Sequence, residues 1–243
     1  LFRSMDDWYT TSLGKMVDEQ EKAILEAFLS KRFGYYIVQL NGHRNLIEQA
    51  RVKRKFVLTR EPYLWATACA EETALPIQTD SVDVALLPHT LEITKDPHQV
   101  LREVERILIP EGYVVISGFN PWSLVGARRL LSVKSTEFPW ASQFYRLSRV
   151  IDWLKLLGFQ VDVVERYFFV LPFQQKSVVQ QAGWVDALGQ KLWPFWSGGY
   201  MLLAKKQVST LTPIKPKWRA RMVSSESEVT ETSQRGDFGC SKE

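Results

Sequence analysis

A strand–helix–turn–strand unit near the middle of the sequence limits the possible folds of this chain more than any other pattern does. An apolar, β-prone run at residues 81–87 is followed by strong helix-start signals: Asp96 as N-cap, Pro97 at the first helical position, and Gln99 three residues after the cap. A second apolar run, at residues 113–117, follows a Pro-Glu-Gly turn. Two buried strands joined by a helix at this spacing predict a parallel βαβ unit, and therefore an α/β sheet.

The same alternation of short apolar runs and amphipathic stretches continues on both sides of this unit. Further strands are predicted at residues 35–40, 55–59, 63–69, 159–165 and 200–204. Further helices are predicted at residues 12–28, 45–54 and 142–157, with Gly34 expected to end the first in a left-handed conformation and Gly158 to end the last. The pattern predicts a Rossmann-like, doubly wound α/β fold with a mostly parallel sheet and helices on both faces.

Composition divides the chain into three parts. With 243 residues, 45% of them hydrophobic, the sequence suits one sizeable domain with tails. We assign residues 1–34 to an N-terminal helical segment and residues 35–206 to the main domain, which carries an aromatic-rich insertion at 168–198. Ser, Thr, Pro and charged residues dominate residues 207–243, which predicts a basic, disordered tail.

Cysteine content and hydropathy indicate the cellular compartment expected for the protein. Cys69 and Cys240 are far apart and support neither a disulfide framework nor a zinc site, so no metal is expected. The first residues lack the basic and apolar regions of a signal peptide, and no apolar run is long enough to cross a membrane, so a cytoplasmic protein is expected. Residues 205–221 hold six Lys or Arg and no acid. This run predicts contact with a nucleic acid or another anionic partner, or else a solvated tail that aids solubility.

One long block resembles a known protein family. In order, it contains "ALPI" at residues 74–77, "SVDVALLPHTLE" at 81–92, "DPH" at 96–98 and "LREVERILIPEG" at 101–112. This block resembles that of the type-11 class I S-adenosylmethionine-dependent methyltransferases, and residues 118–124 resemble a bacterial branch of them. The resemblance runs from about residue 8 to residue 206. It implies a seven-stranded sheet with an antiparallel seventh strand, and S-adenosylmethionine as the cofactor.

The resemblance also implies where that cofactor lies. It would cross the carboxyl ends of the strands, where an open α/β sheet has its crevice on general grounds. Glu71, with its neighbour Glu72, matches the acid that holds the adenine, and Glu61 is the candidate for the acid that holds the ribose. Exposed loop acids without a ligand are the alternative interpretation of Glu71 and Glu72. The further cofactor-binding residues that the resemblance implies are Leu40, Asn41 and Gly42 after the first strand, and Pro88 and His89 after the fourth.

The turn after the first strand departs from the pattern of the family. Family members carry several glycines there, which let the backbone approach the cofactor and adopt positive φ. This chain has only Gly42, and His43 and Arg44 add bulk where the methionine and ribose of the cofactor would lie. Two explanations stay open. Either the loop binds the cofactor in a variant way, or cofactor binding is lost and the fold serves another purpose.

Candidate groups for the chemistry follow the fourth and fifth strands. His89 is the candidate general base, with a structural packing role as the alternative. Asn120 is the candidate residue for positioning a substrate, or else the cap of a helix that starts near Trp122. The aromatic insertion at residues 168–198 is either a hydrophobic lid or binding surface, or an ordinary insertion with its own small core.

The sequence therefore predicts an enzyme that transfers a methyl group from S-adenosylmethionine to an unidentified acceptor. The alternative is a non-catalytic module of the same fold that binds a protein partner or RNA through its insertion and tail. A dinucleotide-dependent oxidoreductase is disfavoured because no G-x-G-x-x-G sequence follows the first strand. An open crevice above Glu71 would favour the enzyme, whereas a crevice filled by His43 or Arg44 would favour the module.

Overall fold

A computed structural model describes residues 5–30, 34–123, 126, 139, 141–169 and 197–207. Two helices precede the sheet, α1 (Met5–Tyr9) and α2 (Ser12–Ser30). The strands are β1 (Tyr36–Leu40), β2 (Arg54–Thr59), β3 (Ala68–Cys69), β4 (Val82–Pro88), β5 (Leu108–Phe119), β6 (Phe159–Tyr167) and β7 (Gly199–Lys206). Further helices are α3 (Thr90–Ile93), α4 (Pro97–Ile107) and α5 (Leu147–Leu156).

The described strands form a seven-stranded sheet in the order β3-β2-β1-β4-β5-β7-β6. Strands β1 to β5 run parallel to one another, and Gln39 of β1 lies beside Val57 of β2 and Leu86 of β4. Strand β7 lies between β5 and β6 and runs antiparallel to both. The predicted α/β fold, with its mostly parallel sheet and antiparallel seventh strand, is confirmed. The strand order reverses between β1 and β4, and open α/β sheets bind ligands at the carboxyl ends beside such a point.

Helices cover both faces of the sheet. Helices α1 and α2 pack on one face, and α4 and α5 pack on the other. Because apolar residues recur along one side of α2 and α4, each helix buries a continuous stripe. The stripe of α2 contains Leu13, Val17, Leu25 and Phe28, and that of α4 contains Val100, Leu101, Val104 and Ile107. The N-terminal helices therefore share their core with the sheet.

Helix α4 begins at the cap that the sequence predicts. The Asp96 side chain accepts a hydrogen bond from the Gln99 backbone N–H at 3.0 Å, and Pro97 is the first helical residue. The Gln99 side chain donates to the Thr73 carbonyl oxygen, 3.4 Å away, rather than completing a capping box with Asp96. This bond ties the start of α4 to the loop after β3. At the end of α5, Gly158 has a φ of 81° and ends the helix as predicted.

The helix predicted at residues 45–54 is wrong, because these residues form bends and turns. The cause is the buried side chain of Gln39. Its Oε1 accepts from the Leu46 N–H at 2.8 Å, and its Nε2 donates to the Arg44 carbonyl oxygen at 2.6 Å. A side chain thus takes the backbone groups that a helix would use. The apolar Ile47 is buried in the core that includes α2, and this burial explains the helix-like spacing of apolar residues.

Gly34 does not take the left-handed conformation that the sequence predicts. It precedes β1 and lies against Asp83, so close that a Cβ on residue 34 would be 2.8 Å from the Asp83 Cβ. The Asp83 carboxylate accepts hydrogen bonds from the N–H groups of Tyr35 and Tyr36, at 3.1 and 2.9 Å. Glycine is therefore required here by close packing and not by backbone conformation.

Two further boundaries differ from the prediction. The strand expected at residues 63–69 is limited to β3, because the Ala66 N–H bonds back to the Tyr63 carbonyl and turns the chain. The helix expected at residues 142–157 starts only at Leu147. Before it, the Gln143 N–H donates to the Glu92 carbonyl oxygen at 2.9 Å, which holds the chain against α3 instead of in a helix.

Some predictions fall outside the described residues. These are most of the aromatic insertion, at 170–196, the tail from residue 208 onward, and most of the helix predicted after Trp122. Within the ranges that are described, none of the helices has the length and apolar content needed to cross a membrane.

Candidate functional site

The turn after β1 depends on two residues with positive φ. Asn41 has a φ of 59° and Gly42 a φ of 110°. The Asn41 N–H donates to the Leu58 carbonyl oxygen at 2.7 Å, and its side-chain oxygen accepts from the Arg60 N–H at 3.2 Å. The turn is therefore fixed to the end of β2. A Cβ on Gly42 would lie 2.9 Å from the Pro88 Cγ, so both conformation and space require glycine.

The carboxyl ends of β1 and β4 are joined directly. The Thr90 hydroxyl donates to the Leu40 carbonyl oxygen at 2.6 Å in the buried interior, and Gly42 lies against Pro88. Thr90 and Pro88 therefore close the gap between these two strand ends. The exposed part of the edge lies towards β2 and β3, where residues 60–62, 67–69 and 71 are accessible to solvent.

His43 and Arg44, the bulky residues of the turn, both bond to helix α2. The His43 Nε2 lies 3.0 Å from Asp18 Oδ1, and the Arg44 Nη2 lies 2.7 Å from the same oxygen. The His43 ring stacks on the Tyr9 ring, with centroids 3.6 Å apart and planes 8° from parallel. Both side chains are therefore held against α1 and α2. The bonds of Arg44 to Asp18 do not place its side chain in the crevice, which the sequence had suggested it could fill.

A fully buried ionic network lies at the end of β4. The His89 Nδ1 is 2.7 Å from Glu92 Oε2, and its Nε2 is 2.7 Å from Glu21 Oε1. The Tyr9 hydroxyl donates to the second Glu21 oxygen at 3.2 Å, and the Tyr167 hydroxyl donates to the first. His89 has a φ of 52° and no exposed surface. The network connects α1, α2, α3, β4 and β6.

Charges in this network favour an ionised imidazole. Burial alone would lower the pKa of His89, but Glu21 and Glu92 outweigh burial and raise that pKa to about 10. Burial would raise the pKa of Glu21, yet the charge of His89 and its hydrogen bonds, with that from Tyr167, bring it below its usual value. Burial keeps the pKa of Glu92 above its usual value. Both ring nitrogens of His89 are engaged by carboxylates, which favours the packing role over the role of general base.

Aromatic side chains cover this network from the side of α1. The Trp8 ring meets the Phe119 ring edge-on at 5.6 Å, and Phe119 lies 4.3 Å from the His89 ring. Trp8 and Tyr9 are 2% and 5% exposed. Together with the His43 ring stacked on Tyr9, these side chains fill the space above the carboxyl ends of β4 and β5.

Acidic side chains surround the exposed part of the edge. Glu72 is buried and bonds Arg60 Nη2 through Oε1 at 3.0 Å, whereas its Oε2 has no hydrogen-bond partner among the described residues. Asp6 Oδ1, on α1, is likewise buried and unpartnered within the described ranges. Burial raises the pKa of Asp6, and Glu61 adds to that rise, so the two carboxylates lie in each other's field. Glu71 and Glu61 are exposed.

Asn120 follows β5 and organises the turn there. Its side-chain oxygen accepts from the Trp122 N–H at 3.1 Å, and its carbonyl oxygen accepts from the Ser123 N–H at 3.2 Å. These bonds close a turn at residues 120–123, and the helix that Asn120 was expected to cap lies mostly outside the described residues. Asn120 also lines a cavity, so both interpretations of this residue remain compatible with its position.

The residue that the sequence-based search missed is Glu21. It lies on the buried side of α2, one turn from both Val17 and Leu25, and is 2% exposed. An acid inside an apolar stripe was the available signal, because a buried carboxylate needs a charged or hydrogen-bonding partner. Its partners come from distant parts of the sequence, so the stripe alone could not name them.

Comparison with known proteins adds to this geometry. A family model described as a methyltransferase domain matches residues 22–116. The uncharacterized protein YafS of Escherichia coli (strain K12) is 34% identical over 186 residues, which cover 76% of this chain and 77% of that protein. The malonyl-[acyl-carrier protein] O-methyltransferase of Methylovorus sp. (strain MP688) is 27% identical over 105 residues, 43% of this chain and 35% of that protein.

A solved structure supports the fold. The SAM-dependent methyltransferase from Archaeoglobus fulgidus superposes with a TM-score of 0.55 at 16% identity, covering 77% of this chain and 94% of that one. At this identity the likeness concerns the fold alone, and the sequence matches carry the relationship. The chain belongs to the type-11 family of class I S-adenosylmethionine-dependent methyltransferases.

Proposed function

We propose that this protein binds S-adenosylmethionine at the carboxyl ends of its parallel strands and transfers the methyl group to an acceptor. The observation that carries the proposal is the pair of buried carboxylate oxygens, Asp6 Oδ1 and Glu72 Oε2, that have no partner among the described residues. A buried polar atom without a partner costs about 1–3 kcal/mol. A ligand that donates hydrogen bonds at this edge, as the adenine amino group and ribose hydroxyls do, removes that cost.

The residues at the exposed end of the edge fit the adenosine part of the cofactor. We assign Glu71 and Glu72 to the adenine amino group and Glu61 to the ribose, and the backbone of Asn41 and Gly42 to close approach by the ligand. S-adenosylmethionine supplies an electrophilic methyl group on sulfur. The protein's contribution is to hold the acceptor in line with that group and to exclude water. His89 takes no part in proton removal in this proposal, because its ring is buried between two carboxylates.

A second candidate function is a module of the same fold that has lost cofactor binding. The observation that favours it is the filling of the edge above β4, where Trp8 and Tyr9 are buried and Gly42 lies against Pro88. The methionine part of the cofactor is expected at that end.

Isothermal titration calorimetry with S-adenosylmethionine and S-adenosylhomocysteine tests the proposal. We expect micromolar binding by the wild type, and binding about tenfold weaker or more in Glu71→Ala and Glu72→Gln, because each loses a charged hydrogen-bond acceptor. Glu26→Gln is the matched control, since Glu26 lies exposed on α2, where it forms an ion pair with Lys22.

The outcomes separate the two candidate functions. Binding that weakens in both edge variants but not in Glu26→Gln supports the methyltransferase. An absence of heat with either ligand at millimolar concentration, from protein whose unfolding transition is normal, contradicts it and favours the module. Equal binding by the wild type and both edge variants also contradicts the proposed residues.

A further inference from the structure

A cavity of about 560 Å³ opens beside the carboxyl end of β5, on the face of the sheet covered by α5. It lies between the first turn of α5 and the adjoining ends of β5, β6 and β7. The residues that define its chemistry are Asn120, Trp122, Arg146, Arg166, Ser197 and Tyr200. Its volume falls in the range of small-molecule sites, about 300–1,000 Å³. None of the residues assigned above to S-adenosylmethionine lines it.

The charge of this cavity is one-sided. Its described lining contains two arginines, Arg146 and Arg166, and no acidic side chain. Helix α5 starts at Leu147, so the N–H groups of its first turn add partial positive charge at the same place. Arginine binds carboxylate and phosphate groups through two parallel hydrogen bonds, so the lining favours an anionic group.

Aromatic and aliphatic side chains form other walls of the cavity. The Arg146 guanidinium lies 4.2 Å from the centre of the Trp122 ring, and Trp122 is 64% exposed. The Tyr200 hydroxyl donates to the Tyr145 carbonyl oxygen at 3.1 Å, so Tyr200 offers mainly its ring. Ile151 of α5 adds an aliphatic surface. A ligand in this cavity therefore contacts apolar walls and, at the rim of the cavity, positive charge.

We propose that this cavity binds an organic anion in which a carboxylate or phosphate is joined to a flat apolar body. Asn120 lies directly after β5 at the carboxyl edge, so a ligand in the cavity is on the same edge of the sheet as the crevice. That this ligand is the methyl acceptor rests on the proposed function. The binding site itself does not.

The test uses the full chain without cofactor. Dissociation constants are measured by calorimetry for 2-naphthoate, 1-naphthyl phosphate and neutral 2-naphthamide, with the wild type and with Arg146→Gln and Arg166→Gln. We expect both anions to bind at least tenfold more tightly than the amide, and each variant to lose about tenfold for the anions with little change for the amide. Arg102→Gln, on the exposed face of α4, is the charge-matched control. Urea unfolding of each variant verifies that it folds.

Equal affinity for 2-naphthoate and 2-naphthamide, or equal anion binding by the wild type and both cavity variants, overturns the proposal. The sources of the anionic group are separated by comparing the carboxylate with the phosphate. Titration of the same proteins with S-adenosylmethionine keeps the two proposals apart. Anion binding without cofactor binding leaves the cavity site standing and rejects the proposed function, and the reverse result rejects the cavity site alone.

Discussion

Replacing Glu21 with glutamine removes one of the two negative charges that hold the buried imidazole of His89. The rise of the His89 pKa from 6.5 to about 10 corresponds to roughly 5 kcal/mol of preference for the charged ring, at about 1.4 kcal/mol per pH unit. Of the two carboxylates that raise this pKa, Glu21 makes the larger contribution through its charge. An amide in its place also turns an N–H group towards the donors Tyr9, Tyr167 or His89. We therefore expect Glu21→Gln to lower the free energy of unfolding by about 3–5 kcal/mol.

The same network makes stability depend on pH with a definite sign. The folded-state pKa of His89 lies above its unfolded value, so its stabilisation is complete below about pH 6.5 and is lost as the pH rises through about 10. Between these values the wild type should lose about 1.4 kcal/mol per pH unit from this residue. With Glu92 as its remaining carboxylate partner, His89 in Glu21→Gln has a smaller pKa rise, and the loss with pH should be correspondingly shallower.

Urea unfolding followed by tryptophan fluorescence, repeated from pH 7 to pH 9.5, measures both effects. Glu26→Gln is the control, because Glu26 is on the same helix, is 53% exposed and lies 3.8 Å from Lys22, so its loss should be within about 0.5 kcal/mol. A loss in Glu21→Gln no greater than in this control would refute the reasoning. So would a wild-type stability that stays constant over this pH range.

Three further substitutions test other parts of the fold by urea unfolding. Lys206→Met should lower the free energy of unfolding by about 2–4 kcal/mol. The Lys206 side chain is 9% exposed, its ammonium donates to the Leu108 carbonyl oxygen at 2.8 Å, and its removal leaves buried acceptors unpaired. A loss under about 1 kcal/mol would contradict this role. Gly42→Ala should cost about 2 kcal/mol or more, from its positive φ and the contact with Pro88, and an unchanged midpoint would argue against the described turn. Asp96→Ala should cost about 1 kcal/mol as a lost N-cap, whereas Asp96→Asn should cost much less, and equal losses would exclude the cap.

The central βαβ unit could be predicted because each of its signals is local. The apolar runs of β4 and β5 and the cap at Asp96 act within a few residues, so the sequence reveals them without knowledge of the partners. The antiparallel direction of β7 was expected from the family resemblance and not from the residues, and its position between β5 and β6 was not predicted. A strand's neighbours are chosen by contacts far apart in the sequence, and the apolar pattern of one strand does not identify them.

Two of the failures share a physical cause, which is a buried polar side chain whose partners lie outside its own strand or helix. The spacing of apolar residues at 45–54 indicates a helix, but Gln39 binds the backbone there and prevents it. His89 has the sequence position of a catalytic histidine, yet Glu21 comes from a helix 68 residues earlier and encloses it. The exposed acids Glu61 and Glu71 keep their predicted places at the edge, and their contact with a cofactor stays a prediction.

The location of β7 in the sheet also sets an order of events while the chain is being synthesised. Phe119 at the end of β5 pairs with Gly199, so about 80 residues separate β5 from the strand that covers its edge. At roughly 5–20 residues per second, the ribosome needs about 4–16 seconds to make that stretch. During this interval the nascent chain presents an apolar strand with an open hydrogen-bonding edge, which is a template for aggregation. Folding in the cell should therefore require protection of β5 until Lys206 has emerged, and chains that end before β7 should aggregate.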